Sequence, residues 1–499
     1  AKRSANSHER ADRSTSSFPF QSNTFFTYTL MIQLLRLITF HIVFALARPR
    51  LAHSFTSQPS SSSTMFEDPV LANLQKVDPT IESYETIKHI IQSSAEGFIV
   101  DGKTSTTSET KPYFVKYVDP KKYSNKAWAD LRRTIHYTRT EVRFYNEILP
   151  LMKENLNHEQ VTPTVYLAQY DLNGLMDEDE STEAKEEGST LDPQYDENDT
   201  SVLEGKYGVL VMDNAIAVNE CFQKSPLRLG MAYKSVDALA QFHASAFQRP
   251  EILSKVSNRL CRYGGSYHLK NRNPKELQHM VQAWDDFKKC VGPVAKSGFF
   301  DDIKMQKLGK RILDTAEYIS NELSPSPNCP FATIVHGDYK AMNIMFRGKE
   351  SDFDQDQDVS DIPTPLLIDF ASTGVGLGMS DLAMHIAQIA LPEDLENNNL
   401  ETKLVSYYCK CLKDSLPDDM QSVYSQDDAL RHYRLATVDY FRFILGRQWK
   451  GATLETFEKR SKDTNFAMVN RDVEAALKFV ERTDLYLREI EQEMKEQRS

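Results

Sequence analysis

The chain has 499 residues with a formal net charge of −12, enough length to bury a large core in one bilobal unit or two domains. The negative charge is local: residues 177–199 hold eleven acids against Lys185, residues 350–361 hold six acids and no base, and the remainder sums to +4. A basic face is thus not implied and nucleic acid is not a favoured partner.

The six cysteines (Cys221, Cys261, Cys290, Cys329, Cys409 and Cys411) are scattered. Their only close pair, Cys409-x-Cys411, lacks a second pair to complete a zinc site, so buried or free thiols of a reducing compartment are expected.

Residues 1–64 are read as lying outside the fold. An apolar stretch from Leu30 to Ala47, interrupted by Gln33, Arg36 and His41, precedes Arg48-Pro49-Arg50. If translation starts at Met31, this resembles a signal peptide or anchor, giving a secretory or membrane-anchored protein. If it starts at Met65, the segment is irrelevant and the protein is cytoplasmic, the reading taken here. A membrane is a partner only if 30–47 is a genuine anchor, and oligomeric state is left open.

The folded unit is expected to open near Val77. Asp78-Pro79-Thr80 ahead of Ile81, Tyr84, Ile87, Ile90 and Ile91 predicts a capped helix. Ser93 to Ile99 then forms a turn containing Gly97. Tyr113-Phe114-Val115-Lys116-Tyr117-Val118 is a β-rich strand with one lysine inside it, and the next segment, a helix, carries Glu141 and, nearer its end, Glu147.

A strand over Thr162–Tyr170 leads into the Ser- and Glu-rich tract 173–204. That tract has too few apolar groups to order itself and is read as a disordered hairpin insertion. The chain resumes with the apolar strand Tyr207–Asn214. Val236–Ala244 has helical spacing, with His243 expected to be a hydrogen-bonded core histidine, and further helices are expected near Leu277–Phe287 and Lys304–Leu323.

The chemistry concentrates downstream. Apolar runs flank the polar turn of Val335-His336-Gly337-Asp338-Tyr339-Lys340-Ala341-Met342-Asn343-Ile344-Met345-Phe346, and a further run, Leu366-Leu367-Ile368, delivers Asp369 to a strand end. Oxygen-bearing side chains at strand–loop junctions suit a hard cation such as Mg²⁺, with nucleotide phosphates completing its shell. Phosphoryl transfer needs this set: one Asp to take a hydroxyl proton, an Asn and a second Asp to hold metal.

The acidic stretch 348–364 between the two motifs is read as a long hairpin loop. Ser372 to Gly378 has a Gly-x-Gly-x-Gly look but does not open a helix behind a first strand. A dinucleotide site is rejected and a flexible connection expected. Aromatic-rich helices follow, the last running from Asp472 to Glu493.

His336-Gly337-Asp338, Asn343, Ile368-Asp369-Phe370 and Asp381-Leu382-Ala383 stand in the order and spacing that mark a known family. On these residues the chain resembles the aminoglycoside-phosphotransferase and choline-kinase-like enzymes, and among them the ecdysteroid-kinase-like (CHK-kinase-like) branch. The resemblance implies an α+β, bilobal protein-kinase-like fold. Residues 77–214 would be the small β-sheet lobe and 215–493 the larger helical one.

It further implies an ATP-dependent small-molecule kinase acting on an alcohol, with ATP and Mg²⁺ as cofactors. Asp338 would be the base, Asn343 and Asp369 the Mg²⁺ ligands, and Asp381 a brace of the loop. Lys116 would contact the nucleotide phosphates and be held by Glu141, with Glu147 the alternative partner. Gly97 would stand in the phosphate-covering loop, though an ordinary turn reads equally well. Met212 and Asp213, in a connection running to Ala215, would present backbone to adenine.

Lys340, two residues beyond the base, either offsets charge on the transferred group or is a solvated loop lysine. A protein kinase is the nearest alternative, but His-Gly-Asp, Asp369-Phe370-Ala371 and the lack of Ala-Pro-Glu argue against it. A nucleotide-binding pseudokinase or scaffold is the alternative from another class.

Overall fold

Five antiparallel strands form the first lobe: β1 (Ile81–Ile91), β2 (Glu96–Thr104), β3 (Thr110–Val118), β4 (Val165–Asp171) and β5 (Tyr207–Asp213), ordered β1-β2-β3-β5-β4. The computed structural model describes residues 68–497 except 92–94, 106–109, 126–127, 156–160, 176–199, 273, 354–356, 398–399, 419 and 421–423. The apolar stretch 30–47 and both candidate starts, Met31 and Met65, fall outside the described residues, as does most of the acidic tract. The chain divides at Phe66, and the described fold belongs to the unit Glu67–Ser499.

Two expectations are corrected at the start of this lobe. The fold opens before Val77, with helix α1 (Pro69–Val77), whose N-cap Asp68 accepts from the Val70 N–H at 2.9 Å. Val70 and Leu74 of α1 bury against Ile81, Val100, Tyr113, Val115, Val209 and Val211 on the outer face of the sheet. The segment expected as a helix over Ile81–Ile91 is β1. Its run of β-branched residues pairs along its length with β2, and of the supposed helical stripe only Ile81 is buried. Pairing wins over an accidental periodicity.

Lys116 and Phe114 of β3 stand opposite Leu210 and Met212 of β5. Helix α2 (Trp128–Arg143) follows and widens into a π-helical turn over Phe144–Ile148. Pro150, just beyond, has no N–H to give the carbonyl of Asn146. The acidic insertion is narrower than 173–204, because Leu175 and Leu203 at its ends bury with Leu131, Ile135 and Leu172.

Past β5 the chain enters the helical lobe through the short strand β6 (Cys221–Phe222). Helix α3 (Leu229–Ala244) runs through its core. Strands β7 (Cys261–Tyr263), β8 (Ala332–Val335), β9 (Ile344–Arg347), β10 (Leu366–Leu367) and β11 (Gly374–Leu377) make two three-stranded sheets, β10-β9-β6 and β7-β11-β8. Helices α4 (Met379–Ile389), α5 (Leu400–Asp414), α6 (Gln426–Phe443) and α7 (Val473–Glu496) pack around them.

The flexible connection expected over Ser372–Gly378 is instead β11, buried between β7 and β8. Its glycines permit close strand approach: a Cβ on Gly374 would meet the Cys261 carbonyl oxygen at 2.3 Å. The loop 348–364 is likewise anchored where described, through buried Phe353 and Ile362.

This is a bilobal α+β kinase-like fold. No described helix is long and apolar enough to cross a membrane. All six cysteines are free thiols.

Candidate active site

The His336-Gly337-Asp338 turn is shaped by what surrounds it. Gly337 has φ of +80°, and a Cβ there would lie 2.0 Å from the Ser372 carbonyl oxygen, so only glycine fits. Asp381, at the start of α4, accepts from the backbone N–H of His336 (2.6 Å) and of Gly337 (2.9 Å). The same carboxylate meets His243 Nε2 at 3.2 Å, and His243 Nδ1 meets the Tyr408 hydroxyl at 2.8 Å. His243 is therefore a fully buried scaffold residue, as expected.

His336 donates from Nε2 to the Ile368 carbonyl (3.0 Å), and its Nδ1 accepts from the Asp338 N–H (3.3 Å). Burial lowers its pKa, outweighing the pull of Asp381, Asp338 and Asp369, so it stays neutral. This ring ties the strand end carrying Asp369 to the loop carrying Asp338.

Asp338, Lys340, Asn343, Asp369, Lys116 and Glu141 are brought together. Asn343 Nδ2 donates to the Asp338 carbonyl at 2.8 Å and to its Oδ2 at 3.2 Å, which turns the amide nitrogen toward the loop and leaves the amide oxygen as the group suited to a cation. Lys340 Nζ sits 2.9 Å from Asp338 Oδ2, and that carboxylate raises the lysine's pKa.

Lys116 Nζ reaches Glu141 Oε2 at 2.7 Å and Asp369 Oδ1 at 2.9 Å. Burial works against the charge on Lys116, but Asp369 and Glu141 outweigh it and hold its pKa above the ordinary lysine value. For Asp369 burial pushes upward, yet Lys116 and Lys340 hold the carboxyl well below the usual range. Asp369 has φ of +67°, uncommon for a residue with a Cβ and an outlier of the sort that marks functional sites. Its neighbour Phe370 stacks on Phe144, ring centroids 4.0 Å apart, joining the Asp369 strand end to the turn that follows the helix carrying Glu141. Glu147 is engaged elsewhere, by Arg259 at 2.8 and 2.9 Å.

Three expected site residues stand differently. Gly97 lies within β2 opposite Lys116, not in the hairpin turn, whose residues 92–94 are outside those described. Met212 and Asp213 do not line the cleft. The Asp213 N–H donates to the Thr164 carbonyl at 2.9 Å and its carboxylate accepts from the Tyr166 hydroxyl at 2.6 Å. That N–H is spent inside the sheet.

The charged groups open on one cleft of about 460 Å³, also lined by Thr134, Tyr137, Ser266 and Asn465. None of these four was singled out in the sequence. Among the described residues, no three His, Cys, Asp or Glu side chains gather as a self-sufficient metal site. The donors Asp369 and Asn343 fit a cation only if other oxygens, such as phosphates, complete its shell.

The residues expected of a kinase-like site, Lys116, Glu141, Asp338 and Asp369, are thus found together in one cleft. Residues 209–418 match the family described as the Ecdysteroid kinase-like family, a span that holds Asp338, Asn343, Asp369 and Asp381 but not Lys116 or Glu141. No curated protein sequence matches the chain. Similar solved structures include ethanolamine kinase of Plasmodium vivax, at 11% identity over 83% of this chain and 84% of that one, TM-score 0.37. Another is an aminoglycoside-3'-phosphotransferase of type VIII, at 13% identity over 74% and 97%, TM-score 0.31.

Proposed function

We propose that the protein is an ATP- and Mg²⁺-dependent kinase that transfers the γ-phosphoryl group to the hydroxyl of a small-molecule alcohol. One observation supports the reading: Lys116, Glu141, Asp338 and Asp369, from four separate segments, converge on a single cleft, with Asn343 bonded to Asp338.

Asp369 and the amide oxygen of Asn343 would hold the cation, which supplies charge neutralisation on the phosphates. Lys116, kept charged by its two carboxylates and oriented by Glu141, binds phosphate oxygens. Asp338 orients the acceptor hydroxyl and takes its proton. The acceptor oxygen bonds to the γ-phosphorus as the bond to the β–γ bridging oxygen breaks, and ADP leaves. Lys340, two residues away, offsets negative charge on the group in transit.

The test is transfer of labelled phosphate from ATP to candidate alcohols, compared between the parent protein and Asp338→Asn. Turnover in the variant is expected to fall by about 10²–10⁴-fold, the usual worth of a positioned base, with nucleotide binding retained. Parental turnover in a pure variant sample removes Asp338 from the mechanism.

A further inference from the structure

The cleft that holds Asp338 is also lined by neutral polar side chains from outside the catalytic loops, among them Ser266 and Asn465. The Ser266 N–H donates to the Gly337 carbonyl at 3.1 Å, which fixes Ser266 next to the residue preceding Asp338. Among the described residues its hydroxyl has no protein partner. Asn465 is exposed and comes from the loop after the helix Leu454–Arg460, its amide nitrogen 3.1 Å from Asp463 Oδ1.

The remaining wall says what the site does not suit. Its three carboxylates are each taken by a lysine of the same wall: Glu141 and Asp369 by Lys116, Asp338 by Lys340. Among the described residues Tyr137 is the sole aromatic ring of the lining. An ammonium group would find neither a spare carboxylate nor a cage of rings. A steroid needs a broad apolar surface near the base, but the apolar lining of Ile90, Ile91, Val118 and Leu210 belongs to the sheet lobe, on the Lys116 side.

We infer that the acceptor is a neutral, hydroxyl-rich small molecule, a sugar or polyol, held by Ser266 and Asn465 while one of its hydroxyls faces Asp338. The inference rests on the kinase reading above and narrows it.

The experiment incubates the full chain with Mg·ATP and, separately, a set of hexoses and inositols, choline, ethanolamine and a steroid alcohol, following transfer of labelled γ-phosphate. Transfer to a hexose or inositol is expected. Ser266→Ala and Asn465→Ala should each raise the KM for that acceptor by roughly two- to tenfold, one neutral hydrogen bond's worth. The KM for ATP and the melting temperature should stay put, which a merely structural role would not allow.

Transfer to choline, ethanolamine or the steroid instead overturns the acceptor class and leaves the kinase reading standing. Silence across the sugars and inositols, with Mg·ATP binding intact by calorimetry, overturns it too. Loss of Mg·ATP binding in the parent protein sinks the kinase reading and this inference together. An unchanged acceptor KM in both variants removes Ser266 and Asn465 from recognition.

Discussion

Lys116 Nζ lies 2.9 Å from Asp369 Oδ1 while also bound to Glu141 at 2.7 Å, so one lysine neutralises two carboxylates. On the proposed reading a divalent cation would compete with Lys116 for Asp369. Metal entry and release of Lys116 toward phosphate would then be one exchange, favoured when a nucleotide supplies both further metal oxygens and a new partner for the lysine.

Lys116→Met keeps most of the apolar stem and removes the charge. Without nucleotide, the variant should bind Mn²⁺ at least about tenfold more tightly than the parent, because Asp369 loses its nearest positive charge while buried Glu141, already raised to about 7, can take up a proton. Its nucleotide affinity should fall. Electron paramagnetic resonance of free Mn²⁺ reads the first change; equal metal binding in both proteins contradicts the exchange.

Asp369→Ala removes the only charged oxygen donor proposed for the cation, since Asn343 is neutral. Mg·ATP affinity should drop sharply, and the difference between ATP affinity with and without Mg²⁺ should largely vanish. Calorimetry with and without the metal decides this, and a persistent Mg²⁺ dependence moves the cation to other ligands.

Asp381→Asn tests the brace beneath the loop. Asp381 accepts from two backbone N–H groups and lies against His243, all buried. An amide cannot accept from both with the same oxygen pair, so one N–H faces a donor at a cost of about 1–3 kcal/mol. The melting temperature should fall by several degrees, and kcat should fall further than the KM for ATP rises, because the loop carrying Asp338 loses its register. Unaltered melting would show that the brace is dispensable.

The site was legible where residues adjacent in sequence share one turn. Asp338, Lys340 and Asn343 lie within six positions, and Asp369 ends the next apolar run, so spacing alone gathers them. Lys116 and Glu141 were legible only through the family resemblance, which pairs a strand lysine with a carboxylate of the next helix; the two side chains do meet, at 2.7 Å.

Ser266 and Asn465 left no such trace. They reach the cleft from loops 199 positions apart, and only tertiary packing brings them together. The misreadings have a common cause in β pairing. Ile81–Ile91 has a helix-like stripe and Gly374–Leu377 a linker-like composition, yet each is a strand because a partner strand satisfies its backbone.

The last prediction concerns Lys340, whose ammonium rests 2.9 Å from Asp338, the proposed base. At rest the Asp338 carboxylate is bound to this ammonium where it lines the cleft. When phosphate is in transit, the same compact charge can offset negative charge growing on the transferred group, an interaction stronger in the transition state than in the ground state. Lys340→Met should therefore lower kcat while leaving the KM for ATP nearly unchanged. A rise in acceptor KM instead would assign Lys340 to the acceptor site. No change in either constant would make the ion pair with Asp338 a surface contact, because a lysine that acts on the reacting group cannot be removed without slowing the step it serves.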